Sequence, residues 1–311
     1  MSFDLNPLFL FILGSLMLFY GSELLINNSK ILANKINVPP IIIGITVIAV
    51  GTSLPELFIS IKAALQNKGN LVVGNIIGSN ISNICLVLGL ILIFFEFQIK
   101  NIINTKLSFI YLSIVSVIFY YFIYRGQLNI VNGIVLLACF AVYIYVITQY
   151  FSYKSETQNS IVSRSAVKLL FLISLGAILL SLGSSLFLDG AVGIAIKIGV
   201  NNSVIGLTLV ALGTSIPELF VSINSAIKKE FDFAIGNVIG SNIINIVLVG
   251  GVTSLFNLLT FTEGDFKIFN PLSLSLSFLL IFLFFEKPSI NRFLGTTFIV
   301  IYLIFLYINF S

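Results

Sequence analysis

The chain has 311 residues, of which 58% are hydrophobic and only 9% are charged, and its formal net charge is +4. Soluble domains carry roughly a quarter charged residues, so this composition excludes a water-soluble globular protein. It also excludes a disordered chain. The positive charge is too thinly spread to favour nucleic-acid binding. The composition therefore predicts an all-α polytopic membrane protein.

The apolar runs predict ten membrane-spanning helices, because a helix needs about 20 apolar residues to cross a bilayer. In chain order they cover roughly residues 7–27, 40–65, 71–95, 107–124, 129–150, 166–188, 204–227, 233–257, 271–286 and 292–310. The longest polar connection, 151–165, divides the chain into two units of five spans each, 1–150 and 166–311.

Lysine and arginine are distributed unequally between the two ends of the predicted spans. Eleven of the 16 lie in or beside the connections after spans 1, 3, 5, 7 and 9, and five lie on the opposite side. Cytoplasmic connections are enriched in these residues. We therefore expect a multi-pass protein of the cell membrane, with the 151–165 linker in the cytoplasm and both termini outside.

The sequence also limits the chemistry. It contains no histidine, and Cys85 and Cys139 both lie within apolar runs. Imidazole metal ligands and histidine proton relays are therefore excluded, and a disulfide framework is not indicated. No metal-protease or Ser/His signature indicates an enzyme. No cofactor is expected, and nothing points to a protein partner.

Two segments repeat each other at a constant offset of 162 residues. Residues 44–89 and 206–251 share 25 identities in 46 positions without a gap. Because each half holds an odd number of predicted spans, the second copy would enter the membrane inverted. Inverted repeats are typical of secondary transporters, whose ion sites lie near the bilayer midplane between the repeats. We therefore predict two inverted five-helix repeats.

Each repeat carries one glutamate in the middle of an apolar span, Glu56 in the second span and Glu218 in the seventh. An ionised carboxylate at this depth is costly unless it is compensated, so it marks a functional site by default. Two such groups near the repeat axis would repel each other, and one divalent or several monovalent cations would neutralise them. The alternative is a pair of protonated glutamates with a purely structural role.

The residues around each glutamate supply further oxygen atoms. Pro55 and Pro217 have no N–H, so the carbonyls of Gly51 and Gly213 lose their helical partners and are free to bind a cation. Hydroxyl groups stand four and three residues before each glutamate, on its helix face. They belong to Thr52, Ser53, Thr214 and Ser215. This hard-oxygen set suits Ca²⁺ or Na⁺, although a proline alone more often only kinks a helix.

A second polar stripe follows in spans 3 and 8, with residues spaced i, i+4 and i+8 on one helix face. It consists of Asn75, Ser79 and Asn83 in the first repeat and Asn237, Ser241 and Asn245 in the second. The serine and the last asparagine of each stripe are predicted ligands, and the first asparagine is predicted to brace the broken helix. The alternative is that the asparagines only hydrogen-bond neighbouring helices.

Glycines and two further asparagines accompany this stripe. The pairs Gly74 with Gly78, and Gly236 with Gly240, predict close helix approach. Asn80 and Asn242 fall off the stripe and are not predicted to take part in the site.

The paired motifs resemble those of the Na⁺/Ca²⁺ exchanger branch of the cation/Ca²⁺ exchanger superfamily. They read GTSLPE at 51–56 with GNIIGSNISN at 74–83, and GTSIPE at 213–218 with GNVIGSNIIN at 236–245. The resemblance implies an antiporter that exchanges Na⁺ for Ca²⁺ across the lipid bilayer by alternating access. Spans 2, 3, 7 and 8 would form a fixed core, and spans 1 and 6 would slide across it.

The resemblance also implies which residues bind the transported ions. Glu56 and Glu218 would be shared by Ca²⁺ and Na⁺, while the carbonyls of Ala49 and Ala211 would serve flanking Na⁺ sites. The full implied set is Ala49, Thr52, Ser53, Glu56, Ser79, Asn83, Ala211, Thr214, Ser215, Glu218, Ser241 and Asn245.

One position departs from part of the resembled superfamily. Some archaeal and K⁺-dependent relatives carry aspartate where Asn245 stands. Without that charge, K⁺ co-transport is not expected. One Ca²⁺ balances the charge of the two glutamates, whereas several Na⁺ exceed it, so exchange would move net charge across the membrane. The alternatives are an H⁺/Ca²⁺ antiporter, whose branch typically lacks the GTS-x-PE motif, and a cation channel.

Overall fold

The computed structural model describes residues 6–95, 102–149, 165–199, 213–261, 266–285 and 292–310. These ranges are mostly helical, which confirms the predicted class at that level. The helices are α1 (Pro7–Lys35), α2 (Pro40–Thr52), α3 (Leu54–Leu65), α4 (Gly69–Phe94), α5 (Ile102–Tyr124), α6 (Ile130–Gln149), α7 (Ala166–Lys197), α8 (Ile216–Ile227), α9 (Phe231–Phe256), α10 (Phe269–Phe285) and α11 (Arg292–Phe310). Within these ranges, the departure from an all-α arrangement is one antiparallel pair of two-residue strands, β1 (Gln127–Leu128) and β2 (Leu259–Thr260).

Six of these helices are long and apolar enough to cross a bilayer, namely α1, α4, α5, α6, α7 and α9. The bent pair α2 and α3 adds a seventh span. Within α10 and α11, the apolar segments Phe269–Ile281 and Arg292–Ile308 are shorter. Residues 204–212 of the predicted seventh span lie outside the described residues. The structure therefore supports six to seven spans, and the number ten stays a prediction.

Helices α1 and α7 are longer than the predicted spans 7–27 and 166–188, since they continue to Lys35 and Lys197. The prediction for α1 ended at its polar residues. In the structure these bond within the helix: Asn28 Nδ2 donates to the carbonyl of Leu24 over 2.7 Å, and Asn27 Nδ2 donates to Glu23 over 3.1 Å. Polar side chains satisfied in this way do not end a helix.

Glycines hold α1 and α7 in close antiparallel contact. A methyl group on Gly21 would lie 2.9 Å from the carbonyl oxygen of Gly176, and one on Gly176 would lie 2.9 Å from that of Gly21. Towards the start of α1, the backbone of Gly14 faces Gly183. The partner numbers fall along α7 as they rise along α1, so the helices run in opposite directions. Such small residues let backbones approach closely.

A new helix begins just before each glutamate. Helices α2 and α3 are bent by 47° at the break after Thr52. The 3₁₀ turn Gly213–Ser215 precedes α8 in the second half. The cause is the same in both repeats, because Pro55 and Pro217 cannot donate to the preceding turn. Each glutamate therefore lies in the first turn of a new helix.

Gly236 and Gly240 bring α9 against α2, as their spacing predicted. A methyl group on Gly236 would lie 2.7 Å from the carbonyl oxygen of Ile41 and 3.1 Å from Cα of Gly44. Gly74 has only the ring of Phe266 at 3.8 Å, and Gly78 has no neighbour within 4 Å among the described residues. The second-half equivalents of this part of α2 lie in 200–212, outside those residues. The close packing is therefore seen for one of the two glycine pairs.

Candidate functional site

The two predicted carboxylates are fully buried at the starts of equivalent helices. The exposed fraction is 1% for Glu56 and 0% for Glu218. They lie in the first turns of α3 and α8. The positive end of the helix dipole stabilises negative charge there, so the break at each proline provides partial compensation for its glutamate.

Most of the carboxylate oxygens have no hydrogen-bond donor. Among the described residues, neither oxygen of Glu56 has a partner, and neither does Oε2 of Glu218. Oε1 of Glu218 accepts a hydrogen bond of 3.1 Å from Ser53 Oγ of the other repeat. Buried charges are normally paired or bound to metal ions. The site therefore has oxygen atoms available for a cation.

Hydroxyl groups join the two repeats beside the glutamates. Thr52 Oγ1 donates to Asn237 Oδ1 over 3.0 Å and lies 3.3 Å from Ser241 Oγ. Ser79 Oγ lies 3.2 Å from Thr214 Oγ1, which repeats the contact with the halves exchanged. The structure thus brings the predicted hydroxyls of both repeats together. Ser215 Oγ is buried and has no partner among the described residues.

The two described carbonyl groups named from the sequence, those of Ala49 and Gly213, already accept hydrogen bonds within the protein. The Ala49 carbonyl accepts a hydrogen bond of 3.0 Å from Ser53 N and lies 3.2 Å from Thr52 Oγ1, whose single hydrogen already goes to Asn237 Oδ1. The Gly213 carbonyl, expected to be free, accepts from Ser184 Oγ of α7 over 2.9 Å. Ala211 lies outside the described residues. The second lone pair of the Ala49 carbonyl is therefore available to a cation.

The first asparagine of each stripe braces the broken helix, as predicted. Asn75 Nδ2 donates to Ser60 Oγ over 2.9 Å and to the carbonyl of Glu56 over 3.2 Å. Asn237 makes the equivalent bonds to Ser222, over 2.9 Å, and to the carbonyl of Glu218, over 3.4 Å. Each brace fixes the glutamate helix to the next helix along the chain.

The last asparagine of each stripe begins a π-helical segment, a feature frequent at functional sites. These segments are Asn83–Leu88 in α4 and Asn245–Val249 in α9. The first contacts α8 and the second contacts α3, so each asparagine segment packs against the glutamate helix of the other repeat. Among the described residues, Asn83 Nδ2 and Oδ1 and Asn245 Oδ1 are buried without a partner.

Asn80 and Asn242, which the stripe left out, connect the two repeats. Asn80 Nδ2 donates to the carbonyl of Asn242 over 3.3 Å, and Asn245 Nδ2 donates to Asn80 Oδ1 over 3.2 Å. Both asparagines are buried. The sequence feature that could have identified them is that asparagine occurs at both equivalent positions, in the middle of an apolar span.

Both halves of the chain match one family. Residues 6–149 and 168–311 match the family model described as sodium/calcium exchanger protein. The chain belongs to the sodium/calcium exchanger family. This is a family of ion transporters and not of enzymes, and its members exchange Na⁺ and Ca²⁺.

The similarity to known members of this exchanger family and their relatives covers nearly the whole length of the chain. An uncharacterized membrane protein of Methanocaldococcus jannaschii is 36% identical and covers 94% of this chain and 95% of its own length. Sodium/calcium exchanger MaX1 of Methanosarcina acetivorans is 28% identical, with 96% and 97% covered. A structure of the sodium-calcium exchanger NCX_Mj, soaked with 10 mM Na⁺ and zero Ca²⁺, has a TM-score of 0.81 and 34% identity, covering 97% of this chain and 98% of that one.

Proposed function

We propose that this protein is a secondary antiporter that exchanges Na⁺ for Ca²⁺ across the cell membrane by alternating access, electrogenically and without K⁺. The observation that carries the proposal is the pair Glu56 and Glu218, two buried carboxylates with three of their four oxygens unpartnered among the described residues. Leaving two such charges in an apolar interior is costly. One Ca²⁺ or several Na⁺ would neutralise them in turn.

The proposed architecture is ten spans in two inverted repeats, 1–150 and 166–311, joined by a cytoplasmic linker at 151–165, with both termini outside. The antiparallel packing of α1 and α7 supports it, because these helices hold equivalent positions in the two halves. Equivalent helices of inverted repeats cross the membrane in opposite directions.

The proposed ligands are the twelve positions named from the sequence. The contacts among Thr52, Ser53, Ser79, Thr214 and Ser241 support the hydroxyl ligands, since these groups line one region shared by both repeats. Carboxylate, hydroxyl and amide oxygens are the ligands that Ca²⁺ takes. The described residues hold no cluster of three or more acidic, cysteine or histidine side chains, so neutral oxygens would have to complete the cation's coordination.

Alternating access would arise from movement of α1 and α7 across a core of α2, α3, α4, α8 and α9. The glycines bring the backbones of α1 and α7 close together, so we expect the two helices to move as one pair. Coupling of the two ion fluxes requires that the ion-free protein does not change the side of the membrane to which its site is open. In that change, two bare carboxylates would have to cross apolar surroundings. Either substrate removes that barrier by neutralising them.

The test is uptake of radioactive Ca²⁺ into Na⁺-loaded proteoliposomes that contain the purified protein. We expect uptake when the external buffer lacks Na⁺, and none from Glu56→Gln or Glu218→Gln, since each variant removes a shared charge. Glu156→Gln, in the predicted linker, is the matched control and should transport normally. Normal uptake by either site variant would contradict the assignment.

Two other functions predict different results in the same vesicles. An H⁺/Ca²⁺ antiporter would take up Ca²⁺ in response to a pH gradient without Na⁺. A cation channel would pass Ca²⁺ down its own gradient, whichever counter-ion is inside. We expect no uptake under either condition.

A further inference from the structure

Asn80 and Asn242 hold equivalent positions in the repeats but make different hydrogen bonds. Asn80 Nδ2 reaches across the repeat interface to the carbonyl of Asn242 over 3.3 Å. Asn242 Nδ2 instead donates to the carbonyl of Val238, one turn back in its own helix, over 3.0 Å. The pair therefore breaks the symmetry of the two halves, and in the part of the chain that the structure describes only the Asn80 side chain hydrogen-bonds a predicted ligand, Asn245.

The bonds of Asn80 fix the direction of the Asn245 amide. A backbone carbonyl can only accept, so Asn80 must present Nδ2 to Asn242. Its Oδ1 then faces Asn245, 3.2 Å away, and Asn245 must present its own Nδ2. The oxygen of Asn245 is left over. It is buried and has no partner among the described residues.

We propose that Asn80 is a positioning residue that holds the Asn245 amide with its oxygen, and not its NH₂ group, available to the transported cation. The proposal rests on the proposed function. Cations take oxygen ligands, whereas the NH₂ group of an amide is a donor and would repel them. The segment that begins at Asn245 contacts α3, whose first turn carries Glu56, so Asn245 starts a segment that packs against the helix of that carboxylate.

The need for such positioning is particular to asparagine. A carboxylate at position 245 would offer oxygen at both ends and would need no fixed direction. An amide that rotates freely offers oxygen in only one of its two orientations. Asn83, the equivalent of Asn245 in the first repeat, has no partner for either amide atom among the described residues. The amide of Asn245 is therefore oriented by a neighbour, and that of Asn83 is not.

A double-mutant cycle tests the proposal. Asn80→Ala is made in the natural chain and in the Asn245→Asp variant, and cation binding is measured on purified protein from the rise in unfolding temperature with added Ca²⁺ or Na⁺. We expect Asn80→Ala to weaken binding about tenfold in the natural chain, equivalent to losing one buried polar interaction. In the Asn245→Asp variant we expect a factor below about two, because direction no longer matters.

Equal factors in the two backgrounds would overturn the proposal, since a packing role is indifferent to the residue at 245. Asn80→Leu keeps the side-chain bulk without its polar atoms and serves the same comparison if the alanine variant does not fold. Asn80→Asp is the conservative rescue: in either protonation state an oxygen accepts from Asn245. It should bind cations at least as tightly as the natural chain, and a loss like that of alanine would count against us.

Asn242→Ala is the matched control at the equivalent position. It removes a side chain whose bond is to its own helix and leaves the backbone carbonyl in place, so binding should change by less than about twofold. A loss equal to that of Asn80→Ala would overturn the proposed asymmetry. Failure of the proposed function gives a different result: the natural chain would then drive no Na⁺-dependent Ca²⁺ uptake, whatever the binding cycle shows.

Discussion

Ser53 donates a hydrogen bond of 3.1 Å to Glu218 Oε1, whereas Ser215, at the equivalent position of the other repeat, has no partner among the described residues. The two carboxylates are thus in different environments although their flanking sequences are nearly identical. Glu218 is held by a donor from the first repeat, while neither oxygen of Glu56 is held by a described residue. In this conformation the duplicated site is asymmetric.

This asymmetry predicts unequal effects of removing the two hydroxyls. Ser53→Ala leaves Glu218 without its donor, which should lower the free energy of unfolding of the cation-free protein by about 1–3 kcal/mol. Ser215→Ala removes a group without a described partner and should cost less. Added Ca²⁺ should narrow the difference, because a bound cation replaces the missing donor. Thermal unfolding in detergent, with and without Ca²⁺, measures both effects, and equal losses without Ca²⁺ would contradict the prediction.

The contact between Gly21 and Gly176 predicts that alanine at either position slows exchange. The added methyl group would lie 2.9 Å from a backbone oxygen of the other helix, which cannot rotate away. We expect α1 and α7 to be forced apart, with a fall in the initial rate of Ca²⁺ uptake and little change in cation-induced stabilisation. Gly250→Ala is the control, because its nearest atoms are side-chain ends at 3.3–3.5 Å. An unchanged rate for Gly21→Ala would argue against movement of this pair.

The ion pair between Glu23 of α1 and Lys228 beyond α8 predicts an electrostatic restraint on the same movement. Lys228 Nζ lies 2.6 Å from Glu23 Oε1, and Asn224 Nδ2 donates to Ser22 Oγ over 2.8 Å. These bonds link α1, the helix that is proposed to slide, to the core of the protein. They must therefore break when α1 moves. Both charged side chains are about a quarter exposed, which limits the pair to about 0.2–1 kcal/mol.

Neutralising either partner should therefore change the exchange rate by up to about fivefold. Glu23→Gln and Lys228→Gln should have similar effects, and the double variant should change the rate by less than the two single effects combined, because each single variant already removes the ion pair. Lys62→Gln, with no ion-pair partner among the described residues, is the control. Additive effects in the double variant would show that the two residues act separately.

Some structural features near the candidate site could be predicted from residues that repeat at the fixed offset within an apolar span. Burial of Glu56 and Glu218, the breaks at the two prolines and the bracing role of Asn75 all follow from local rules about one helix. The same rules missed Asn80, because the stripe considered one face of one helix. The partner of Asn80 lies on α9, and the sequence does not say which faces of two helices meet.

The predicted fate of the free carbonyls was incomplete for a similar reason. Removing the proline N–H frees the Gly213 carbonyl, as expected, but Ser184 of α7 occupies it. That contact depends on how a helix from another part of the repeat is placed. The length of α1 was underestimated because Asn27 and Asn28 were taken as its end, although they bond within the helix.

The charge of the site predicts that transport responds to membrane voltage. Two glutamates are balanced by one Ca²⁺, so a cycle that releases more than two Na⁺ for each Ca²⁺ carries net positive charge out of the vesicle. An inside-positive potential should then increase Ca²⁺ uptake, and about 60 mV should change the equilibrium accumulation about tenfold for each net charge moved. Setting the potential with a proton ionophore in K⁺-free buffer should give the same result as setting it with K⁺ and valinomycin. Equal accumulation at zero and positive potential would mean electroneutral exchange, and a requirement for K⁺ would mean that Asn245 does not exclude its co-transport.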